Sequence, residues 1–262
     1  MFQAPTQTAI NIFGFSIYYY GLILAFATFI GVCVAFWLYK KYYKTGEIIL
    51  DISPVLIFLG VIGARLYYCV VNFQYYIDKP LEIFNIRQGG LSIHGMIAVG
   101  ILALFFCAKR YKTSFLKLCD VFLCGTSLAQ SIGRWGNFFN SEAFGTPTNL
   151  PWKMYISLSH RPEQYINYEY FHPTFLYESL LNFLIFIILL LLLKKWYNKA
   201  GFVTCSYLIF YSLARIFVEH FRIDSVLNIY GIPIAQIVSF IIIFFATISF
   251  IYLQKKYKKN TA

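Results

Sequence analysis

An all-α polytopic membrane protein, with about seven transmembrane helices and an exterior head region, is the fold class that this sequence predicts. Three observations lead there. Hydrophobic residues make up 59% of the 262 positions and charged residues only 13%, roughly half the charged share of a water-soluble domain. Seven apolar stretches each approach the ~20 residues needed to cross about 30 Å of hydrocarbon. The basic residues gather behind alternate stretches, as cytoplasmic connections do: Lys40, Lys41 and Lys44; Lys109, Arg110, Lys112 and Lys117; Lys194, Lys195 and Lys199; and Lys255, Lys256, Lys258 and Lys259. A net charge of +11 distributed in this way argues against nucleic acid as a partner and for membrane lipids.

The elements follow in order. Span 1, about 16–38, ends at the first basic cluster, which places the N-terminus outside. Span 2, about 48–71, travels outward and an exterior loop at about 72–89 leads to span 3, about 90–108. Span 4, about 118–135, goes out again. The long polar connection 136–172 carries Pro147, Pro151 and Pro162 and reads as an exterior head. Spans 5, 6 and 7, at about 173–193, 201–221 and 232–253, leave the C-terminus in the cytoplasm. Residues 1–262 are expected to form a single transmembrane catalytic domain, without a signal peptide, since the N-terminus has no basic n-region and no small-residue cleavage site. Asp51 and Asp120 are expected to cap helix starts. The cysteines, lacking CxxC spacing, read as packed thiols.

Ionisable side chains inside spans cost at least about 2.5 kcal/mol each, so their depth is informative. Arg65 lies about 17 residues along span 2, in its outer half by a rise of 1.5 Å per residue. His94 opens span 3, Arg134 and Asn137 end span 4, and His172, Tyr177 and Glu178 open span 5. Span 6 carries Tyr211, Arg215, Glu219 and Arg222 outward, and Tyr20 starts span 1 at a similar level. Steps of 4, 4 and 3 put the span 6 residues on one helical face. Arg215 and Glu219 could merely neutralise each other there. Alternatively the face lines a cavity whose surplus arginines take an anion, and the planar guanidinium fork suits phosphate.

The string Gly133-Arg134-Trp135-Gly136-Asn137-Phe138-Phe139-Asn140-Ser141-Glu142-Ala143-Phe144-Gly145 combines three glycines with polar residues at a membrane exit. Such glycines describe backbone that leaves the helix. His94 follows Gly89-Gly90 at the start of an apolar span, where a histidine either packs or does chemistry. No HExxH or paired histidine and carboxylate spacing supports a metal site.

With Tyr20-Gly21-Leu22, Gly63-Ala64-Arg65, Gly90-Leu91-Ser92-Ile93-His94-Gly95, the 133–145 string, His172 to Glu178 and Tyr211…Arg215…Glu219…Arg222, nearly the whole chain resembles the prolipoprotein diacylglyceryl transferase family. The 133–145 string matches the family signature at each fixed position. Met96 departs from the small residue that many members carry after His-Gly.

That resemblance implies transfer of a diacylglyceryl group from phosphatidylglycerol to the lipobox cysteine thiol of a prolipoprotein, at the outer leaflet of the bacterial cytoplasmic membrane, with release of glycerol 1-phosphate. It also implies roles. Arg134 and Arg215 would bind the phosphate, Asn137 and Tyr20 would orient the substrates, and Glu142 and Glu219 would hold the arginines. Gly145 would permit the turn, and Tyr211, Arg65 and Arg222 would complete substrate binding. His94 is the candidate base for the thiol proton. Neither cofactor nor metal is expected, and the protein is expected to be a monomer. A transporter for an anion would want polar groups along the full membrane depth. An intramembrane serine protease would need a clearer nucleophile than Ser127 in Gly125-Thr126-Ser127-Leu128.

Overall fold

The computed structural model describes residues 2–5, 7–12, 15–43, 46–86, 89–223, 228–229 and 231–259. Lys44 of the first basic cluster lies outside them. In chain order the elements are β1 (Phe2–Gln3), β2 (Thr8–Ile12), β3 (Phe15–Tyr18), α1 (Tyr19–Tyr43), α2 (Glu47–Val71), α3 (Phe73–Asp78), α4 (Ile93–Arg110), α5 (Phe115–Phe139), β4 (Met154–Tyr155), β5 (Tyr170–Phe171), α6 (Thr174–Trp196), α7 (Phe202–Glu219), β6 (Asn228–Ile229), β7 (Ile232–Pro233) and α8 (Ile234–Lys259). Seven of these helices, all but α3, are long and apolar enough to cross a membrane. They leave bulky side chains such as Phe29, Phe58, Phe106, Leu191 and Phe244 exposed, as helices facing lipid do. The chain divides into two compact units, one made of the residues up to Ala35 with those from Cys119 onward, the other of Phe36–Leu118.

In the first unit, small residues decide how closely the helices approach. A Cβ on Gly31 of α1 would stand 3.1 Å from the Gly125 carbonyl oxygen, and one on Gly125 of α5 would run into the Gly31 carbonyl. Further along the same antiparallel seam, Gly133 faces Leu24 and Gly136 lies under the Tyr20 ring. Apolar burial gives little drive for association in lipid, so backbone proximity and interhelical hydrogen bonds have to supply it. These contacts correct the reading of Gly133 and Gly136 as backbone leaving the helix. Both lie inside α5, which continues to Phe139, and their spacing of three makes a groove for α1.

Hydrogen bonds between hydroxyl groups and backbone fix α6 against α5. Ser127 donates to the Asn182 carbonyl at 2.9 Å, Ser131 donates to the Ser179 carbonyl at 2.8 Å, and Ser179 donates back to the Ser131 carbonyl at 2.8 Å. At the opposite end of α5, fully buried Asp120 accepts from the amides of Gly201 and Thr204, both at 2.8 Å, and from the Thr204 hydroxyl at 2.6 Å. Asp120 therefore caps the start of α7 and not its own helix, as the sequence suggested. Asp51 is likewise no cap, because α2 begins at Glu47 and carries both Asp51 and Pro54 inside it. Gly201, at φ +96°, makes the turn into α7.

The head is built from residues that the sequence reading left without secondary structure. β1, β4 and β5 form a three-stranded sheet, with β1 parallel to β4 and β4 antiparallel to β5. Its core of Phe138, Phe144, Met154, Ile156, Phe171 and Phe175 joins the end of α5 to the start of α6. β2 and β3 form a hairpin directly before α1.

In the second unit α2 and α4 pack through glycines. A Cβ on Gly63 would lie 2.7 Å from the Gly95 carbonyl oxygen and closer still to Val99. A Cβ on Gly60 would stand an ordinary 3.4 Å from Met96 Cγ, so Met96 packs over this glycine without crowding it. Replacing Gly125 by Ala is expected to lower the melting temperature in detergent, overpacking costing typically ~1–3 kcal/mol. Gly100→Ala, where nothing lies within 4 Å, should melt like the parent. Equal melting of both variants would remove the seam argument.

Candidate functional site

Three helices of the first unit bring charges of both signs together. One carboxylate, that of Glu178 in the second turn of α6, holds three guanidiniums. Its Oε2 pairs with Arg134 Nη2 at 2.6 Å, while Oε1 takes Arg222 Nη1 at 2.9 Å and Arg215 Nη1 at 3.3 Å. Arg215 Nη2 also pairs with Glu219 at 2.8 Å, four residues along α7. Both acids are buried, at 6% and 5% exposure, whereas the Arg134 and Arg215 side chains keep 23% and 22%. Among the described residues, three guanidiniums meet two buried carboxylates here, and the Arg134 and Arg215 side chains are the more exposed partners.

Local sequence explains the convergence. The serine contacts between α5 and α6 set a register in which Arg134, three residues beyond Ser131, meets Glu178, the neighbour of Ser179. α7 ends at Glu219, so Arg222 belongs to the turn beyond it and not to the helical face that the spacing suggested. It reaches Glu178 because Gly145 pairs with Arg222 as an isolated bridge, supported by Thr146 N–H donating to the Phe221 carbonyl at 2.8 Å and Gly145 N–H donating to the His172 carbonyl at 2.9 Å. A Cβ on Gly145 would fall 2.6 Å from the Phe221 carbonyl oxygen and 2.9 Å from the His172 Cβ. Close approach is therefore the reason for this glycine. The turn itself is made by Ser141 and Ala143, at φ +52° and +55°, where non-glycine residues cost roughly 1–2 kcal/mol.

That turn folds Glu142 back. Its Oε1 accepts from Asn137 Nδ2 at 2.8 Å and stands 3.5 Å from Asn140 Nδ2, while Asn137 Oδ1 lies 3.5 Å from Arg134 Nη1. Glu142 thus bears on Arg134 only through Asn137, and the acid that holds Arg134 directly is Glu178. Tyr20 stands against Gly136, one position before Asn137. Tyr211, one turn before Arg215, stacks on Tyr207 with centroids 5.6 Å apart, and Tyr207 donates to Gln130 Oε1 at 2.9 Å.

The second unit holds the other two expected site residues. His94 is the second residue of α4, exposed, with Nδ1 3.5 Å from Ser92 Oγ and its ring 5.9 Å from that of Tyr67. The Ser92 amide donates to the Ala64 carbonyl at 3.0 Å, pinning the start of α4 to α2. Arg65, 7% exposed, faces backbone oxygens. Its Nε donates to Ile83 at 2.9 Å, Nη1 to Gly89 at 2.9 Å and Gly90 at 3.1 Å, and Nη2 to Asn85 at 3.2 Å and to Glu82. Its guanidinium also lies 5.3 Å from the Tyr76 ring centroid.

Beside the arginine cluster a second network went unassigned in the sequence reading. Trp152 Nε1 donates to the Tyr177 oxygen at 2.9 Å, and the same oxygen is hydrogen-bonded to His172 Nδ1 at 3.1 Å. Aromatic residues in a polar loop give no sequence signal for such a chain. Glu178 had one: it is the only acid within its apolar span.

Residues 7–252 match the family model described as prolipoprotein diacylglyceryl transferase. The chain is 43% identical over 257 residues to the phosphatidylglycerol--prolipoprotein diacylglyceryl transferase of Synechococcus elongatus, covering 96% of this chain and 89% of that protein. Similar proteins of the same name from Synechocystis and Nostoc are 42% and 40% identical, covering 96% and 98% of this chain and 90% and 93% of their own length.

Burial pushes the His172 imidazole below the ordinary histidine range. The unfolded chain, with a value near ~6.5, binds this proton more readily than the folded one. The contribution of neutral His172 to stability is therefore complete above about pH 6.5 and declines as pH falls below it, until the folded ring titrates. Melting curves between pH 7.5 and 5.5 should show a smaller decline in His172→Gln than in the parent. An unchanged slope would contradict this.

Proposed function

The chain belongs to the prolipoprotein diacylglyceryl transferase family, and on that premise we propose that it transfers the diacylglyceryl group of phosphatidylglycerol to the lipobox cysteine thiol of prolipoproteins, the first step of bacterial lipoprotein maturation. The observation that supports this chemistry best is the arginine cluster on Glu178, whose Arg134 and Arg215 side chains stay partly exposed. A phosphodiester carries one negative charge. Guanidinium forks match phosphate oxygens in pairs, which a lysine ammonium does not.

In the proposed reaction the thiol sulfur attacks the glyceryl carbon that bears the phosphate. An S–C bond forms, the C–O bond breaks, and its electron pair leaves on the phosphate oxygen of glycerol 1-phosphate. Charge on the phosphate group rises as the bond breaks, so preorganised arginines favour the transition state over the ground state. Arg134 and Arg215 take the phosphate oxygens, with Arg222 beside them. Asn137, Tyr20 and Tyr211 orient the substrates, and Glu142 and Glu219 restrain the polar side chains around them. His94 accepts the thiol proton. Removal of that proton makes the sulfur the nucleophile, since the thiolate and not the thiol attacks. Arg65 holds the carbonyls of Ile83, Asn85, Gly89 and Gly90 ahead of His94, and completes substrate binding from there. The protein sits in the cytoplasmic membrane as a monomer, with its N-terminus outside, its C-terminus in the cytoplasm and its site at the outer leaflet, following the basic clusters.

Membranes containing the protein are expected to move labelled diacylglycerol from phosphatidylglycerol to a lipobox cysteine peptide; no transfer in folded, inserted protein would sink the assignment. Arg134→Lys should lose at least about tenfold in rate with charge retained. His94→Gln should keep lipid binding, lose about 10²–10⁴-fold in transfer, and recover partly as pH approaches ~8.5 and the thiol ionises unaided. Reporters fused after Lys112 or Lys199 should read cytoplasmic and those within 146–170 exterior. The opposite pattern would move every proposed residue to the wrong leaflet.

A further inference from the structure

The reaction proposed above creates a difficulty for the site that performs it. The phosphodiester substrate carries one negative charge, whereas the departing glycerol 1-phosphate is a monoester of about −1.5 to −2 at pH 7. A cluster of arginines built only to attract phosphate would hold its product more tightly than its substrate. Turnover would then be limited by release. The structure contains a group suited to prevent this. Glu178 is a carboxylate buried to 6% exposure, it touches each of Arg134, Arg215 and Arg222, and the proposed reaction gives it no bond to make or break.

We propose that Glu178 is a resident counter-anion, which shares the three guanidiniums with the lipid phosphate and takes them back when glycerol 1-phosphate leaves. Geometry supports sharing in place of a permanent seal. Each guanidinium carries five N–H donors in a planar fork, so an edge held by one carboxylate oxygen leaves further donors for a phosphate oxygen. Contacts are graded, at 2.6 Å to Arg134, 2.9 Å to Arg222 and 3.3 Å to Arg215, and Arg215 has Glu219 as a second acid at 2.8 Å. The acids lie on the buried side and the exposed parts of Arg134 and Arg215 on the open side. An anion can therefore arrive and leave without either acid moving through it. Asn182, one turn further along α6, donates to the Glu178 carbonyl at 2.7 Å, and the serine contacts hold the helix around it, so the carboxylate stays in place when the arginines turn to phosphate. In this role Glu178 is a positioning residue, acting on the reaction through the arginines.

The proposal rests on the reading that phosphate sits at these arginines, and its test keeps the two apart. Protein in phosphatidylglycerol vesicles is given a lipobox peptide, and the first turnover, the steady-state rate and inhibition by added glycerol 1-phosphate are measured. In Glu178→Gln the first turnover should fall less than the steady-state rate. Its steady-state rate should fall at least about tenfold, and glycerol 1-phosphate should inhibit at a concentration at least about tenfold lower, or 1.4 kcal/mol tighter. Glu178→Asp keeps the charge one methylene shorter, and serves if the glutamine variant does not fold. Its inhibition constant should shift in the same direction by a smaller factor. Should both rates fall together in a folded variant with an unchanged inhibition constant, Glu178 is a packing pin and the proposal fails. Failure of the underlying reading looks different: glycerol 1-phosphate would then not compete with phosphatidylglycerol in the parent protein.

Discussion

A carboxylate buried among three guanidiniums is the interaction on which the first unit depends. Charges inside an apolar medium are tolerated only when paired, and removing one partner of a buried pair costs ~3–5 kcal/mol. Glu178 therefore constrains three segments at once: the end of α5 through Arg134, α7 through Arg215, and the turn beyond α7 through Arg222. The serine contacts between α5 and α6, the Gly145 bridge to Arg222 and the Asp120 cap on α7 all read as means of delivering those arginines to one acid. The site and the packing of the unit are the same set of contacts seen from two sides.

Close helix approach is the second requirement, and glycine supplies it in each unit separately. In α1 and α5 the pair Gly31 and Gly125 brings backbone to backbone, and in α2 and α4 Gly63 and Gly95 do so. The second pair stands directly beside functional candidates. Gly63 precedes Arg65 by two residues, and Gly95 follows His94, so the contact that joins α2 to α4 also fixes where both polar side chains begin. Arg65 then ties the backbone at Ile83, Asn85 and Gly89 to α2.

Much of this was legible in the sequence, because spans long enough to cross hydrocarbon and basic clusters behind alternate spans are strong signals. All seven long helices fall where the apolar stretches do, within a few residues at most ends. Arg134, Arg215 and Arg222 were legible as expensive residues that need a partner. The partner was harder to see. Pairing Arg215 with Glu219 is a matter of helical spacing, whereas pairing Arg134 with Glu178 depends on how α5 and α6 are rotated, which no local pattern encodes. Gly136 and Gly145 look like turn residues in a string, yet they serve close contact, and the positive φ angles fall on Ser141 and Ala143. Asp120 reads as a local cap because the helix start it satisfies lies about 80 residues away in sequence. The short strands of the head escaped notice since two-residue pairings leave no alternating pattern to read.

Phosphate recognition by the Glu178 arginines is the centre of the account, and a structure of the protein with phosphatidylglycerol bound tests it most directly. Phosphate oxygens are expected within about 2.7–2.9 Å of guanidinium nitrogens of Arg134 and Arg215, with Glu178 still in contact with the same residues at longer range. A lipid phosphate lodged elsewhere, with the three arginines closed on Glu178 as they are in its absence, would contradict it.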